Sequence, residues 1–166
     1  MQPIFAVGDI HGQLDELHKA LDHIARDPDA EAPVVFTGDF VDRGPQSREV
    51  IELLMQGQAE GKPWTCLMGN HDRYLLRYLE DPSYQDPLTS RPLYYTDPPI
   101  GGDQTLASYG VDTDPRRWPE DIHATPPLLA AALLSAYAVA IAALCAFVVL
   151  EATRARDGSS AFHSKA

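Results

Sequence analysis

Basic residues are scarce in this chain: thirteen Lys and Arg stand against twenty-four Asp and Glu, a formal net charge of −11 over 166 residues. The deficit is concentrated in residues 1–123, with 22 acidic and 10 basic side chains (net −12), while residues 124–166 carry 2 and 3 (net +1). A phosphate backbone needs a basic face, so nucleic-acid binding by electrostatics is not expected. Cysteine is nearly absent as well, and Cys66 and Cys145 form neither a disulfide framework nor a zinc spacing. A reducing, cytoplasmic setting fits. No basic segment followed by an apolar one opens the chain, because Asp9 and His11 come too early; a signal peptide is not expected. Internal repeats and low-complexity tracts are missing before residue 127, and the length suits one domain able to bury a core.

Three short apolar runs punctuate the first half: Ile4-Phe5-Ala6-Val7, Pro33-Val34-Val35-Phe36-Thr37 and Trp64-Thr65-Cys66-Leu67-Met68. Continuous apolar runs of this length, bounded by glycine, predict fully buried parallel strands. Each is followed by a short polar motif and then by helical periodicity. Leu14, Leu17, Leu21 and Ile24 recur at three or four, Val50, Ile51, Leu53 and Leu54 follow Ser47, and Tyr74, Leu75, Tyr78 and Leu79 follow the third motif. Repeated strand–helix units imply an α/β fold, βαβαβα in order, with a mainly parallel sheet. Ligand sites in such sheets lie beyond the carboxyl ends of the strands, which is where all three motifs fall.

The motifs are Gly8-Asp9-Ile10-His11-Gly12, Gly38-Asp39-Phe40-Val41-Asp42-Arg43-Gly44 and Gly69-Asn70-His71-Asp72. They concentrate hard oxygen ligands, imidazoles and one arginine, the materials of a metal site that cleaves phosphate esters. Asp9 and His11, two apart, offer one metal an oxygen and a nitrogen; Asp39 is placed to bridge two metals, and Asn70 offers an amide oxygen to the second. Imidazole with carboxylates suits Mn, Fe or Zn better than Mg or Ca. Two such ions can hold a hydroxide nucleophile and clamp phosphoryl oxygens during in-line displacement. Arg43 supplies a planar fork for two phosphate oxygens. His18 and His23 lie on the polar side of a helix and are expected at the surface, and Arg73 and Arg77 are expected to be solvated helix residues.

The ordered set GDxHG, GDxVDRG, GNH[DE] resembles the calcineurin-like metallophosphoesterases, in the branch of serine/threonine protein phosphatases and diadenosine tetraphosphatases, over roughly the first two thirds of the chain. The resemblance implies that His71 is the general acid protonating the leaving oxygen, with Asp42 orienting its imidazole, and that Arg43 and Asn70 bind substrate. It implies two divalent ions, Mn²⁺ first, and a phosphorylated protein or nucleotide as the substrate partner, attacked by metal-bound hydroxide.

The pattern changes downstream. Residues 81–127 hold nine of the fourteen prolines and read as a long irregular surface segment. Within it, Gly101 to Gly110 (GGDQTLASYG) is similar to a segment that follows the third motif in bacterial members of the branch. Tyr94, Tyr95 and Trp118 are expected to pack this segment onto the domain, with lining of a substrate cleft as the alternative. The family completes its second metal with two further histidines, in an HxG-type strand end and a Gly-His pair. Only His123 and His163 remain, in Asp121-Ile122-His123-Ala124 and Ala161-Phe162-His163-Ser164, and neither context matches.

Leu128 to Leu150 form an uncharged run of 23 residues, nine of them alanine and eleven Leu, Ile, Val or Phe. Such a run can span a bilayer as a tail anchor with a cytoplasmic head. Alternatively it packs as an apolar helix on an open sheet face, or is a divergent end. The expected organisation is therefore a partial metallophosphoesterase domain, 1–123, and an apolar tail, 124–166. Two functions stay open: a metal-dependent phosphoesterase, or a catalytically weak metal- or phosphate-binding protein held at a membrane.

Overall fold

The three apolar runs form three parallel strands, β1 (Phe5–Val7), β2 (Val34–Phe36) and β3 (Trp64–Cys66), in a computed structural model that describes residues 3–113. Helices follow each strand in turn: α1 (Leu14–Ala25), α2 (Ser47–Ala59) and α3 (Asn70–Glu80), with a further short helix, α4 (Gly102–Ser108). The sheet order is β1-β2-β3, with Phe5 beside Val34 beside Trp64, and Val7 beside Phe36 beside Cys66. This is the expected βαβαβα order, and both strand pairs are parallel. His123, His163, Trp118, Cys145, the boundary at residue 123 and the apolar run 128–150 lie outside the described residues. Among those described, no helix is long and apolar enough to cross a membrane.

Apolar spacing explains the helix faces. Leu17 of α1 is buried, and Leu14, Leu21 and Ile24 lean on the same core, while His18 and His23 are exposed. Val50, Ile51 and Leu54 of α2 and Tyr74, Leu75 and Tyr78 of α3 share one buried cluster with Val34, Phe36, Trp64 and Cys66 of the strands. Each large side chain so removed from water contributes roughly 1.5–3 kcal/mol.

The expectation of strands buried on both faces is corrected among the described residues. Burial alternates: Val34, Phe36, Trp64 and Cys66 are buried, whereas Ala6 is exposed and Val35 and Thr65 are half-buried. Right-handed crossovers between strands laid down in the order β1-β2-β3 put both connecting helices on one side. The apolar runs are continuous because their outward positions also hold apolar or β-branched residues.

The proline-rich segment is also more than surface. Tyr95 is fully buried, stacked on Tyr78 at 4.8 Å and tilted against Tyr74 at 5.6 Å, and Ile100 is buried near it. Tyr95 therefore packs this segment onto α3. The α4 helix is too short for periodicity to announce it.

Candidate metal and phosphate site

Five non-glycine residues in the described chain have positive φ: Asp9 (52°), His11 (45°), Asp39 (54°), Asp42 (73°) and Arg43 (65°). Every one is a residue singled out from the motifs. Left-handed backbone costs an L-residue about 1 kcal/mol or more, and such outliers persist only where surrounding structure enforces them. Here the first two motif loops enforce each other. The His11 N–H donates to the Asp39 carbonyl at 2.8 Å and the Gly12 N–H to the Phe40 carbonyl at 2.9 Å. The second and third loops touch at Gly38, whose φ is 99°; a Cβ there would lie 2.2 Å from the Gly69 nitrogen.

The two imidazoles are set by what their Nδ1 atoms meet. His11 Nδ1 lies 2.9 Å from the Val41 carbonyl and His71 Nδ1 lies 2.7 Å from Asp42 Oδ2. Both partners accept, so each Nδ1 carries the proton and each Nε2 presents a lone pair. The Arg43 guanidinium joins them: Nη1 is 2.9 Å from His11 Nε2 and Nη2 is 3.1 Å from His71 Nε2. The rings themselves meet edge to face with centroids 4.7 Å apart. His11 and His71 are buried while Arg43 is exposed, so the guanidinium caps the pair from the solvent side.

Asp42 is fully buried, and its Oδ1 accepts the Tyr95 hydroxyl at 2.5 Å and the Thr105 hydroxyl at 2.8 Å. On the other flank, Asp39 Oδ1 accepts the His71 N–H at 2.9 Å. The Asn70 amide sits beside this carboxylate. In one orientation its nitrogen donates to Asp39 Oδ2 and its oxygen accepts from the His71 N–H, each at 3.3 Å; in the other its oxygen faces the carboxylate. Asp9 is exposed and makes no hydrogen bond among the described residues.

The donor set fits a divalent metal. His11 spends its Nδ1 proton on a backbone carbonyl, the arrangement that frees Nε2 and fixes ring orientation in metal-binding histidines. The Asn70 amide and the Asp39 carboxylate are neighbours, and both offer hard oxygen donors of the kind a divalent cation takes. Among the described residues no three His, Cys, Asp or Glu stand together as a metal-holding group. His11, Asp39, Asn70 and Asp9 are the side chains of the three motifs that carry ligand atoms for an ion.

Some contributors escaped the sequence reading. Asp72 accepts the N–H groups of Gly69 (2.9 Å), Asp39 (2.8 Å) and Phe40 (2.9 Å), pinning the second loop to the third. Its burial pushes its pKa up to about 6 against the opposing pull of those donors. Tyr95 and Thr105 were visible only as an aromatic and as part of the GGDQTLASYG segment. Arg73 and Arg77 pair with Asp86 (2.7 Å) and Glu80 (2.8 Å), away from the imidazoles.

Residues 2–138 match the family model of calcineurin-like phosphoesterases. The chain is 41% identical over 73 residues to the symmetrical bis(5'-nucleosyl)-tetraphosphatase of Methylococcus capsulatus, covering 44% of this chain and 25% of that protein. A Caenorhabditis elegans protein named as a serine/threonine-protein phosphatase is 41% identical over 71 residues, 42% of this chain and 19% of its own length. The solved protein-tyrosine phosphatase of a psychrophilic Shewanella aligns with a TM-score of 0.40 at 28% identity, covering 64% of this chain and 31% of that one. The chain thus spans about a quarter of the length of the first of these curated relatives.

Proposed function

The chain belongs to the calcineurin-like phosphoesterase family, and from that premise we propose that it is a metal-dependent hydrolase of phosphate esters. The proposed substrates are dinucleoside polyphosphates or phosphorylated serine and threonine, the classes suggested by the names of the two curated relatives. The observation that carries the reading is the contact of Arg43 Nη2 with His71 Nε2 at 3.1 Å. It puts a phosphate-binding fork and a carboxylate-backed imidazole at one point. Arg43 is the one basic side chain in the three motifs.

Each residue then has a task. On substrate binding, the Arg43 fork exchanges two imidazole acceptors for two phosphate oxygens, a bidentate geometry that a lysine cannot reproduce. With Arg43 turned to the phosphate, His71 Nε2 is open to take a proton from solvent while its Nδ1–H stays on Asp42, and the imidazolium so formed passes that proton to the leaving oxygen. Asp9, His11, Asp39 and Asn70 would hold the divalent ions, Mn²⁺ first, with Asn70 also reaching the phosphate. When bound, those ions supply Lewis-acid charge to phosphoryl oxygens and make water nucleophilic near neutral pH.

Purified protein with Mn²⁺ is expected to hydrolyse an aryl phosphate, and then to prefer either diadenosine tetraphosphate or a phosphoserine peptide. Asp39→Asn and His71→Asn are expected to abolish that turnover. Absence of metal-dependent turnover on all three substrates overturns the reading.

A further inference from the structure

Asp42 belongs to the second motif, yet two of its partners come from outside all three motifs. Tyr95 precedes α4 and Thr105 lies within it, and both hydroxyls end on the same carboxylate oxygen, Oδ1, at 2.5 and 2.8 Å. That leaves Oδ2 for the His71 Nδ1–H at 2.7 Å. The Thr105 hydroxyl is used to capacity: it donates to Asp42 Oδ1, accepts the Asp42 backbone N–H at 2.8 Å and pairs with Ser47 Oγ at 3.1 Å. Tyr95 has no freedom to aim elsewhere, because its ring is fully buried and stacked on Tyr78.

The same segment holds the strained backbone of the motif. Asp42 and Arg43 have φ of 73° and 65°. The Asp42 N–H ends on Thr105 Oγ1, and the Arg43 N–H donates to the Gly101 carbonyl at 3.0 Å. Gly101 itself has φ 78°, and a Cβ there would lie 2.7 Å from the Arg43 nitrogen.

A carboxylate touched at one oxygen can turn about its terminal torsion. One held by fixed donors at both oxygens cannot. We propose that Tyr95 and Thr105 are positioning residues: their hydroxyls lock the plane of the Asp42 carboxylate, so that Oδ2 fixes the Nδ1–H form and the orientation of the His71 ring. Both act through Asp42, whose Oδ1 takes their hydroxyls and whose Oδ2 takes the His71 ring. The catalytic consequence rests on the phosphoesterase reading, while the effect on the ring does not.

The test uses Tyr95→Phe, which keeps the ring and its stacking, Thr105→Val, which keeps the shape, and Thr105→Ser, which keeps the hydroxyl. Imidazole-labelled metal-free protein is examined by long-range proton–nitrogen NMR. Wild type and Thr105→Ser are expected to show His71 as a single Nδ1–H tautomer, and Tyr95→Phe and Thr105→Val a mixture. With Mn²⁺ and an aryl phosphate, Tyr95→Phe is expected to lose about tenfold in kcat at unchanged KM, and Thr105→Ser to restore what Thr105→Val loses. Folded Tyr95→Phe or Thr105→Val protein with a wild-type His71 spectrum overturns the proposal. Inactivity of the wild type overturns the phosphoesterase reading instead, and the tautomer spectra still decide the role of the hydroxyls.

Discussion

Asp72, in the first turn of α3, holds the backbone of Asp39: its Oδ2 accepts the Asp39 N–H at 2.8 Å. The same carboxylate takes the N–H groups of Gly69 and Phe40, so it faces three donors in a fully buried position. Asp72→Asn turns an amide NH₂ toward at least one of those donors. A loss of about 2–3 kcal/mol in urea-denaturation stability is expected, as for a buried polar group left without its partner. A loss well under about 1 kcal/mol would mean that water can replace the carboxylate there.

The burial of Asp72 also has a pH signature. Its carboxyl is raised from 3.8 to about 6 in the folded protein, so between those values the native state binds more protons than the unfolded chain. Stability from this group is therefore greatest below about 4 and declines as pH rises through about 6, by about 3 kcal/mol at most. Asp72→Asn cannot titrate. The stability gap between wild type and variant is expected to narrow from pH 4 to pH 7, and a constant gap would refute the raised carboxyl.

Much of this architecture is legible in the sequence, for physical reasons that differ by residue. The first three helices announce themselves because Leu17, Leu54 and Leu75 belong to apolar sets that recur at a helical period, and the strands because Val34 and Phe36 sit in short continuous apolar runs bounded by turn residues. Asp9, His11, Asp39, Asp42 and Arg43 stand out as chemistry-bearing types beside glycines, and the structure adds that their backbones are the strained ones. Tyr95 and Thr105 carry no such mark. A hydroxyl 63 residues from its carboxylate partner, in a segment without periodicity, is indistinguishable from a surface hydroxyl until the chain is folded. Asp72 reads as an ordinary acidic first-turn helix residue, and only the fold reveals the loop it clamps. The one-sided burial of the sheet was hidden because Ala6 and Val35 look as apolar as the residues beside them.

Gly38 offers a sharper probe of how the loops converge. Its φ of 99° disfavours any side chain, and an added Cβ would press on the Gly69 backbone, which cannot yield as a flexible side chain would. Gly38→Ala is expected to cost about 2–5 kcal/mol from conformational strain and overpacking together. The same substitution should weaken Mn²⁺ binding measured by calorimetry, because Asp39 follows directly and Asn70 lies just beyond Gly69. Unchanged stability would show that the two loops can separate without disturbing the fold.

Arg43 sits where its removal separates two roles. The guanidinium donates to His11 Nε2 at 2.9 Å, the lone pair that would serve a metal, so in the metal-free protein the two compete for one acceptor. Arg43→Ala should therefore bind Mn²⁺ as tightly as wild type or tighter in a calorimetric titration without substrate. Its KM for a phosphate ester and its inhibition constant for inorganic phosphate should rise about tenfold or more, since a charge-assisted bidentate contact is lost. Arg43→Lys restores the charge but not the planar fork, and should recover only part of the phosphate affinity. Weaker Mn²⁺ binding in Arg43→Ala would reverse the assignment, making the arginine a support for the metal ligands. Tighter metal binding with poorer phosphate binding would identify Arg43 as a group that leaves His11 as ions arrive and turns to the substrate.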